Sequence, residues 1–84
     1  NKLENPEAID MVAATLMEAL KDEHNYVRRE AAEGLKNIGD KLEEVIPVIH
    51  ALQAALSDDN REVRLRAMEA LEKLQKRVGT LRSL

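Results

Sequence analysis

Apolar residues recur along this chain at the spacing of an α-helix. Steps of three or four residues bring side chains onto one face of a helix, and four segments show them. The four apolar series are Ile9, Val12, Leu16 and Leu20; Val27, Ala31, Leu35 and Ile38; Val45, Ile49, Leu52 and Leu56; and Val63, Ala67, Leu71 and Leu74. We therefore predict four amphipathic helices, near residues 6–21, 25–38, 41–57 and 60–78.

Residues typical of helix ends separate these segments. Asn5 suits an N-cap and Pro6 the first helical position, where a missing N–H costs nothing. Asn60 suits the N-cap of the fourth helix, because its side-chain oxygen can accept a backbone N–H. Gly39 suits a left-handed stop after the second helix, and Gly79 is expected to end the fourth helix before a tail.

The chain repeats itself with a period of 36 residues. Between the pairs 9/45 and 40/76, the identical positions are Val12/Val48, Leu16/Leu52, Ala19/Ala55, Leu20/Leu56, Asp22/Asp58, Val27/Val63, Arg28/Arg64, Ala31/Ala67, Glu33/Glu69 and Leu35/Leu71. A fixed period of this length indicates stacked units that cannot bury their apolar faces alone. We predict one domain with unit one at about 6–39, unit two at about 41–78 and a C-terminal tail at 79–84.

The segments LMEALKDEHNYVRREAAEGLKNIG and VIPVIHALQAALSDDNREVRLRAMEALEKL resemble two HEAT repeats, over residues 6 to about 76. The matching features are Pro47, the turn aspartates Asp22 and Asp58, and the pairs Val27-Arg28 and Val63-Arg64. Met11 stands where the second unit has Pro47, so any proline kink should be absent from the first helix. The resemblance implies an all-α fold of two stacked antiparallel helix pairs, forming a short right-handed α-solenoid whose second helices line a concave partner-binding surface.

Composition narrows the possible functions. The 84 residues include no Cys, Phe or Trp and one Tyr, which disfavours disulfides and the aromatic platforms of single-stranded nucleic-acid sites. The net charge of −3 divides into −7 for residues 1–60 and +4 for residues 61–84. No apolar run approaches the roughly 20 residues that span a bilayer, and no leader-like segment opens the chain. We expect a cytoplasmic protein without a membrane span.

Residues capable of catalysis or metal binding are poorly arranged. His24 and His50 do not occupy equivalent positions in the two units, which disfavours a shared metal site. The acidic pairs at 43–44 and 58–59 are adjacent along the chain, and adjacent helical side chains point about 100° apart. We expect a non-enzymatic protein with no catalytic residues, no metal and no organic cofactor.

Two arginines follow two turn aspartates at the same distance. Arg28 lies six residues after Asp22, and Arg64 lies six residues after Asp58. This spacing lets a guanidinium at the start of the second helix reach an acidic turn in its own or the neighbouring unit. We interpret the four residues as a structural ladder, with a ligand-binding arginine as the alternative.

The second helix of each unit carries most of the candidate binding residues. For a non-enzymatic protein-binding scaffold we predict contacts through Arg29, Glu30, Glu33, Lys36, Arg66, Glu69, Lys73 and Lys76. The alternative is binding of nucleic-acid phosphates along the basic fourth helix. That track would comprise Arg61, Arg64, Arg66, Lys73, Lys76, Arg77 and Arg82, and it is interrupted by Glu62, Glu69 and Glu72.

Leu65 and Met68 form an apolar stripe beside the core series of the fourth helix, whereas the matching unit-one residues are Arg29 and Ala32. The change to larger apolar residues suggests that this edge is covered. We expect a second copy, meeting it across a two-fold axis, or neighbouring repeats of a longer chain. A tail folded back over the stripe is the third possibility.

Overall fold

The computed structural model describes the backbone of residues 6–83 and the side chains of residues 7–79. Within that part of the chain there are four α-helices and no strand. They are α1 (Pro6–Ala19), α2 (Asn25–Ile38), α3 (Ile46–Ala55) and α4 (Arg61–Ser83), with a 3₁₀ turn at Gly39–Lys41 directly after α2. The predicted all-α class is confirmed. The proposed N-cap at Asn5 lies outside the described residues.

The helices form two antiparallel pairs, α1 with α2 and α3 with α4, and the pairs stack. Arg28, near the start of α2, contacts Asp58 just before α4, and Gly39 at the end of α2 lies against Leu74 in α4. The second helices of the two units therefore run side by side in the same direction. This contact between α2 and α4 forms the main junction of the stack.

Apolar side chains from all four helices fill the centre of the molecule. Among the described residues, the fully or nearly fully buried ones are Ile9, Ala13, Leu20, Ala31, Ala32, Leu35, Leu42, Val48, Ile49, Leu52, Ala55, Val63, Ala67, Ala70, Leu71 and Leu74. A Cβ atom at Gly34 would lie 3.0 Å from Cδ1 of Leu16, so glycine permits a close approach of α2 to α1.

Val12 and Leu56 depart from the predicted apolar faces, since both are exposed. Their counterparts in the other unit, Val48 and Leu20, line the groove between the units and are buried. By repeat equivalence, Val12 faces away from unit two and Leu56 faces away from unit one. The helical pattern identified apolar positions correctly but could not show which of them have a neighbouring unit.

The connection between the two units differs from the sequence-based expectation. Gly39 has φ −54° and ψ −36°, which is right-handed, so the predicted left-handed stop is wrong. A Cβ atom at Gly39 would lie 3.0 Å from Leu74. Close packing, rather than a positive φ, is therefore the structural reason for glycine at this position.

The third helix begins at Ile46, five residues later than predicted, because residues 39–45 make other contacts. Arg77 donates hydrogen bonds to the carbonyl oxygens of Gly39 and Leu42, at 2.7 and 2.6 Å. Leu42 is itself buried. Pro47 consequently lies in the first turn of α3, where proline is tolerated.

The structure confirms the predicted start of α4 but not its predicted end. Asn60 Oδ1 accepts the N–H groups of Glu62 and Val63, at 2.9 and 3.1 Å, so the predicted N-cap is confirmed. At the other end α4 continues through Gly79 to Ser83. Glycine in a helix costs about 1 kcal/mol relative to alanine but does not by itself end it. The predicted boundary is therefore wrong: residues 79–83 extend unit two and do not fold back over Leu65 and Met68.

Substitution of Leu52 by alanine should destabilise the protein by about 2–5 kcal/mol, since its side chain is fully buried and the change leaves a cavity. That loss is a large part of the stability of a small domain. Chemical denaturation followed by circular dichroism measures it. Gln53→Ala, at the exposed neighbouring position, is the matched control and should remain within about 0.5 kcal/mol of the parent. Equal losses for both variants would contradict the packing.

Candidate functional site

The structure brings charged residues of α2 and α4 together on one surface, called here the α2–α4 face. The name is used for the eight predicted residues, of which the structure links Glu33, Lys36, Arg66 and Glu69 through ion pairs. The other four are Arg29, Glu30, Lys73 and Lys76. Lys36 Nζ lies 3.3 Å from Glu33 Oε2 and 3.7 Å from Glu69 Oε1. Glu69 Oε1 in turn lies 3.5 Å from Nη1 of Arg66. One chain of opposite charges therefore crosses from unit one to unit two.

Lys73, in unit two, also contacts the backbone of unit one. Its Nζ donates to the carbonyl oxygen of Lys36 at 2.6 Å and lies 3.7 Å from Asp40 Oδ2. The carbonyl oxygen of Lys36 also accepts the backbone N–H of Gly39, so the lysine from the neighbouring unit adds a second hydrogen bond at the end of α2. This role had no signal in the sequence, since the repeat places Asn37 at the equivalent position.

The remaining members of the α2–α4 face are less connected. Arg29 Nε lies 3.6 Å from Glu30 Oε2, and the Arg29 guanidinium lies 4.9 Å from the ring centroid of Tyr26, within the range of a cation–π contact. Lys76 is exposed and forms no ion pair or hydrogen bond with the other seven among the described side chains.

The side chains that carry the network are neither buried nor freely solvated. Those of Glu33, Lys36, Arg66, Glu69, Lys73 and Arg29 are between 31% and 40% exposed. Their stems cover the α2–α4 junction, and the Oε2 atom of Glu33 is buried there beside Nζ of Lys36. Charges held in this way lose less conformational freedom when they meet another surface.

Arg28 makes the most extensive polar contact between the units. Its Nε donates to Asp58 Oδ2 at 2.8 Å and its Nη2 to Asp58 Oδ1 at 3.1 Å. This bidentate geometry is stronger than a single hydrogen bond. Nη2 also lies 3.1 Å from Asp59 Oδ1. Nη1 donates to the carbonyl oxygens of Asp22 and Glu23, at 2.9 and 3.1 Å. One guanidinium thus holds two turns in register.

The other two residues of the predicted ladder are placed differently. Asp22 Oδ1 accepts the His24 N–H at 2.9 Å and lies 3.2 Å from His24 Nδ1. Arg64 Nη1 donates to the carbonyl oxygen of Asp58 at 2.6 Å. Among the described residues there is therefore one carboxylate–guanidinium rung, from Arg28 to Asp58, in place of a continuous ladder.

These contacts change the ionisation of the groups involved. Burial alone would raise the pKa of Asp58, but hydrogen bonds from Arg28 and the Asn60 N–H outweigh it and leave this pKa below its ordinary value. The hydrogen bond from the His24 N–H lowers the pKa of Asp22. Hydrogen bonding to Asp58 raises the pKa of Arg28, so both partners of the rung are held in their charged forms.

The proposed phosphate track on α4 is largely occupied by contacts within the protein. Arg64, Lys73 and Arg77 donate to main-chain carbonyl oxygens. Arg66 lies against Glu69, and the side chain of Arg82 lies outside the described ones. Four of the seven cations are therefore already engaged within the protein.

No metal-binding arrangement occurs among the described residues. The grooves between α1 and α3 are lined mainly by small or apolar residues, which are Ala13, Met17, Leu20, Pro47, Val48, Ala51, Ala54 and Ala55, with Asp10, Lys21, Glu44 and Asp58 at their margins. No three His, Asp or Glu side chains converge there or elsewhere in the described part. Nor is any described helix long and apolar enough to cross a bilayer.

Arg28→Ala should reduce stability more than Arg64→Ala or Lys73→Ala, because only Arg28 bridges to a carboxylate of the other unit with two hydrogen bonds. Arg29→Ala should have the smallest effect, since its contacts are local and partly exposed. Midpoints of urea denaturation for the four variants test this order. A midpoint for Arg28→Ala equal to that of Arg29→Ala would contradict the inter-unit role of Arg28.

Stability should fall at acidic pH through Asp58. Because the native pKa lies below the unfolded value of about 3.9, the contribution is complete above about pH 5 and is lost as pH falls through the native pKa. Asp58→Asn should therefore lose less stability than the parent as pH falls. Denaturation midpoints between pH 2 and pH 7 measure this loss. The control Glu43→Gln, at an exposed position, should lose as much stability at acidic pH as the parent does. An unchanged slope in Asp58→Asn would refute the assignment.

Comparison with known proteins identifies the repeat. Searches of curated proteins and of solved structures find no match. The family model described as HEAT repeats matches residues 13–84, which include the second half of α1 and all of the other three helices. The match agrees with the stacked helix pairs and with the 36-residue period. The chain therefore belongs to the HEAT-repeat family.

Proposed function

We propose that this chain is a non-enzymatic scaffold that binds another protein through the α2–α4 face. HEAT repeats generally mediate protein–protein interactions, which supports the class of function. The observation that carries the choice of surface is the Lys36–Glu69 contact, since it joins the charged residues of both units into one network.

A mixed-charge surface of this kind is suited to recognition by charge pattern. Five of the eight residues are basic and three are acidic, so a complementary partner would present mainly acidic groups with basic groups between them. Such complementarity contributes more to association rate and partner choice than to affinity. The partner would also have to cover apolar surface for stable binding, and the stems of the half-buried side chains supply part of it.

Protein binding is favoured over nucleic-acid binding because several cations already contact acceptors within the protein. Lys36 and Arg66 both lie beside Glu69, and Lys73 donates to a backbone carbonyl. A phosphate ligand would have to displace these contacts, and the nearby carboxylates would repel it. An acidic protein surface can instead add contacts at the exposed ends of the same side chains, above all Lys76.

Charge reversal of Arg66→Glu together with Lys76→Glu should abolish partner capture. Both side chains lie on α4 with their charged ends accessible, so folding is preserved while the pattern changes. Capture from lysate of the source cell by immobilised protein, followed by mass spectrometry, identifies the partner. Titration of the purified partner should then show a dissociation constant raised at least about tenfold.

The matched control is Lys21→Glu together with Arg61→Glu, which makes the same change in net charge at exposed positions outside the α2–α4 face. This control should bind the partner as the parent does. Equal loss of binding in both double variants would contradict the proposed surface. Saturable binding of duplex DNA that weakens steeply between 50 and 200 mM salt would favour phosphate recognition instead.

A further inference from the structure

Most of the exposed large apolar side chains lie on the two outer edges of the stack. The forward edge, on the side of unit two away from unit one, carries Ile46, Leu56, Leu65 and Met68. The rear edge, on the side of unit one away from unit two, carries Met11 and Val12. The 36-residue repeat relates each position of one unit to a position of the other. The contact between the two units can therefore serve as a template for the contacts that the two outer edges could make.

The forward edge of unit two repeats the side of unit one that contacts unit two. Ala32, which is 0% exposed at the junction, corresponds to Met68, which is 50% exposed. Leu20, buried beside unit two, corresponds to Leu56, which is exposed. Two positions that are covered in unit one are therefore apolar and uncovered in unit two.

Arg64 repeats half of the hydrogen-bond pattern of Arg28. In each case Nη1 donates to the carbonyl oxygen six residues earlier, at 2.9 Å for Arg28 and 2.6 Å for Arg64. Arg28 also directs Nε and Nη2 to Asp58 of the following unit. No described residue accepts from the corresponding atoms of Arg64. Its guanidinium is thus held by one of the bonds that hold Arg28, and its Nε and Nη2 have no described acceptor.

The rear edge of unit one repeats the side of unit two that receives Arg28. Val48 is 1% exposed at the junction, whereas its counterpart Val12 is 45% exposed. Asp22 corresponds to Asp58, and its carboxylate is held by the same turn: Oδ1 of each accepts the N–H two residues later, at 2.9 Å. No described residue donates to Oδ2 of Asp22, the oxygen that in Asp58 accepts from Arg28.

We propose that the forward edge of one molecule binds the rear edge of a second copy, head to tail, and that Arg64 pairs with Asp22 of that copy as Arg28 pairs with Asp58 within the chain. Met68 and Leu56 meet the α1–α2 edge that carries Val12. The contact joins two different surfaces, so each added molecule leaves a new forward edge exposed and association continues beyond a dimer. This arrangement differs from a two-fold dimer, in which Leu65 and Met68 of both copies would face each other.

Several positions of the template differ at the intermolecular contact, for example Gln75 in place of Gly39, and one charged pair supplies a test. Lys36 lies 3.7 Å from Glu69 at the internal junction, and the equivalent residues between two copies are Glu72 and Glu33. Two carboxylates would therefore approach one another across the intermolecular contact. Glu72→Lys should tighten self-association, whereas the same charge change at Glu43, an exposed residue in the connection between units, should not.

Sedimentation equilibrium from micromolar to millimolar concentration should show a mass that continues to rise past that of a dimer. Met68→Glu and Val12→Glu each place a charge on one edge at a position exposed in the single chain, so helicity should be preserved and association weakened at least about tenfold. Arg64→Glu should weaken it similarly. Arg61→Glu should not, because its counterpart Asn25 stays exposed at the internal junction.

An equal mixture of Met68→Glu and Val12→Glu chains distinguishes the two geometries. Head-to-tail contact predicts that the mixture forms dimers and stops there, because the intact rear edge of the first variant meets the intact forward edge of the second. A parent that remains monomeric at millimolar concentration would overturn the proposal. So would a dimer that Met68→Glu dissociates and Val12→Glu leaves unchanged, which is the two-fold outcome.

Discussion

The packing of α2 against α4 is the constraint on which the rest of the molecule depends. Neither helix pair can cover both of its sides, and this junction is where the two pairs cover one another. Small side chains make it possible: Ala32 and Ala67 are fully buried, and Gly39 lies in close contact with Leu74. Because the junction is close, charged side chains at its margin reach from one unit to the backbone of the other.

Polar contacts across this junction fix the register of the units. Arg28 joins the turns at the beginning of both second helices, while Lys73 and Arg77 hold the carbonyl groups at the end of α2 and the following turn. Apolar packing is tolerant of sliding, whereas hydrogen bonds with fixed geometry are not. The two ends of α2 are thus each held by residues near or on α4, and the α2–α4 face lies between them with its charges already positioned.

The α2–α4 face and the two edges are separate surfaces with different chemistry. The face is charged and half-buried, and its residues contact each other. The edges carry exposed apolar side chains beside one arginine or one aspartate. Head-to-tail stacking would extend the α2–α4 face from one molecule to the next, because the second helices of successive units lie side by side. The proposed self-association therefore adds to the proposed protein binding, although Glu33 belongs to the α2–α4 face and would also approach Glu72 of the neighbouring copy.

The sequence alone determined the helices, the repeat, the N-cap at Asn60 and the set of charged residues on the second helices, because each depends on spacing along one helix or on local capping. It also identified Arg28 and Asp58 as related residues, but not that they pair with one another between units.

Only the tertiary structure decided that contact, the late start of α3 and the continuation of α4 past Gly79. Those features depend on residues far apart in the chain, such as Arg77 with Leu42, and periodicity carries no information about such pairs. For the same reason the sequence assigned Val12 and Leu56 to the core: the apolar pattern records which positions can be buried, and the neighbouring unit decides which of them are.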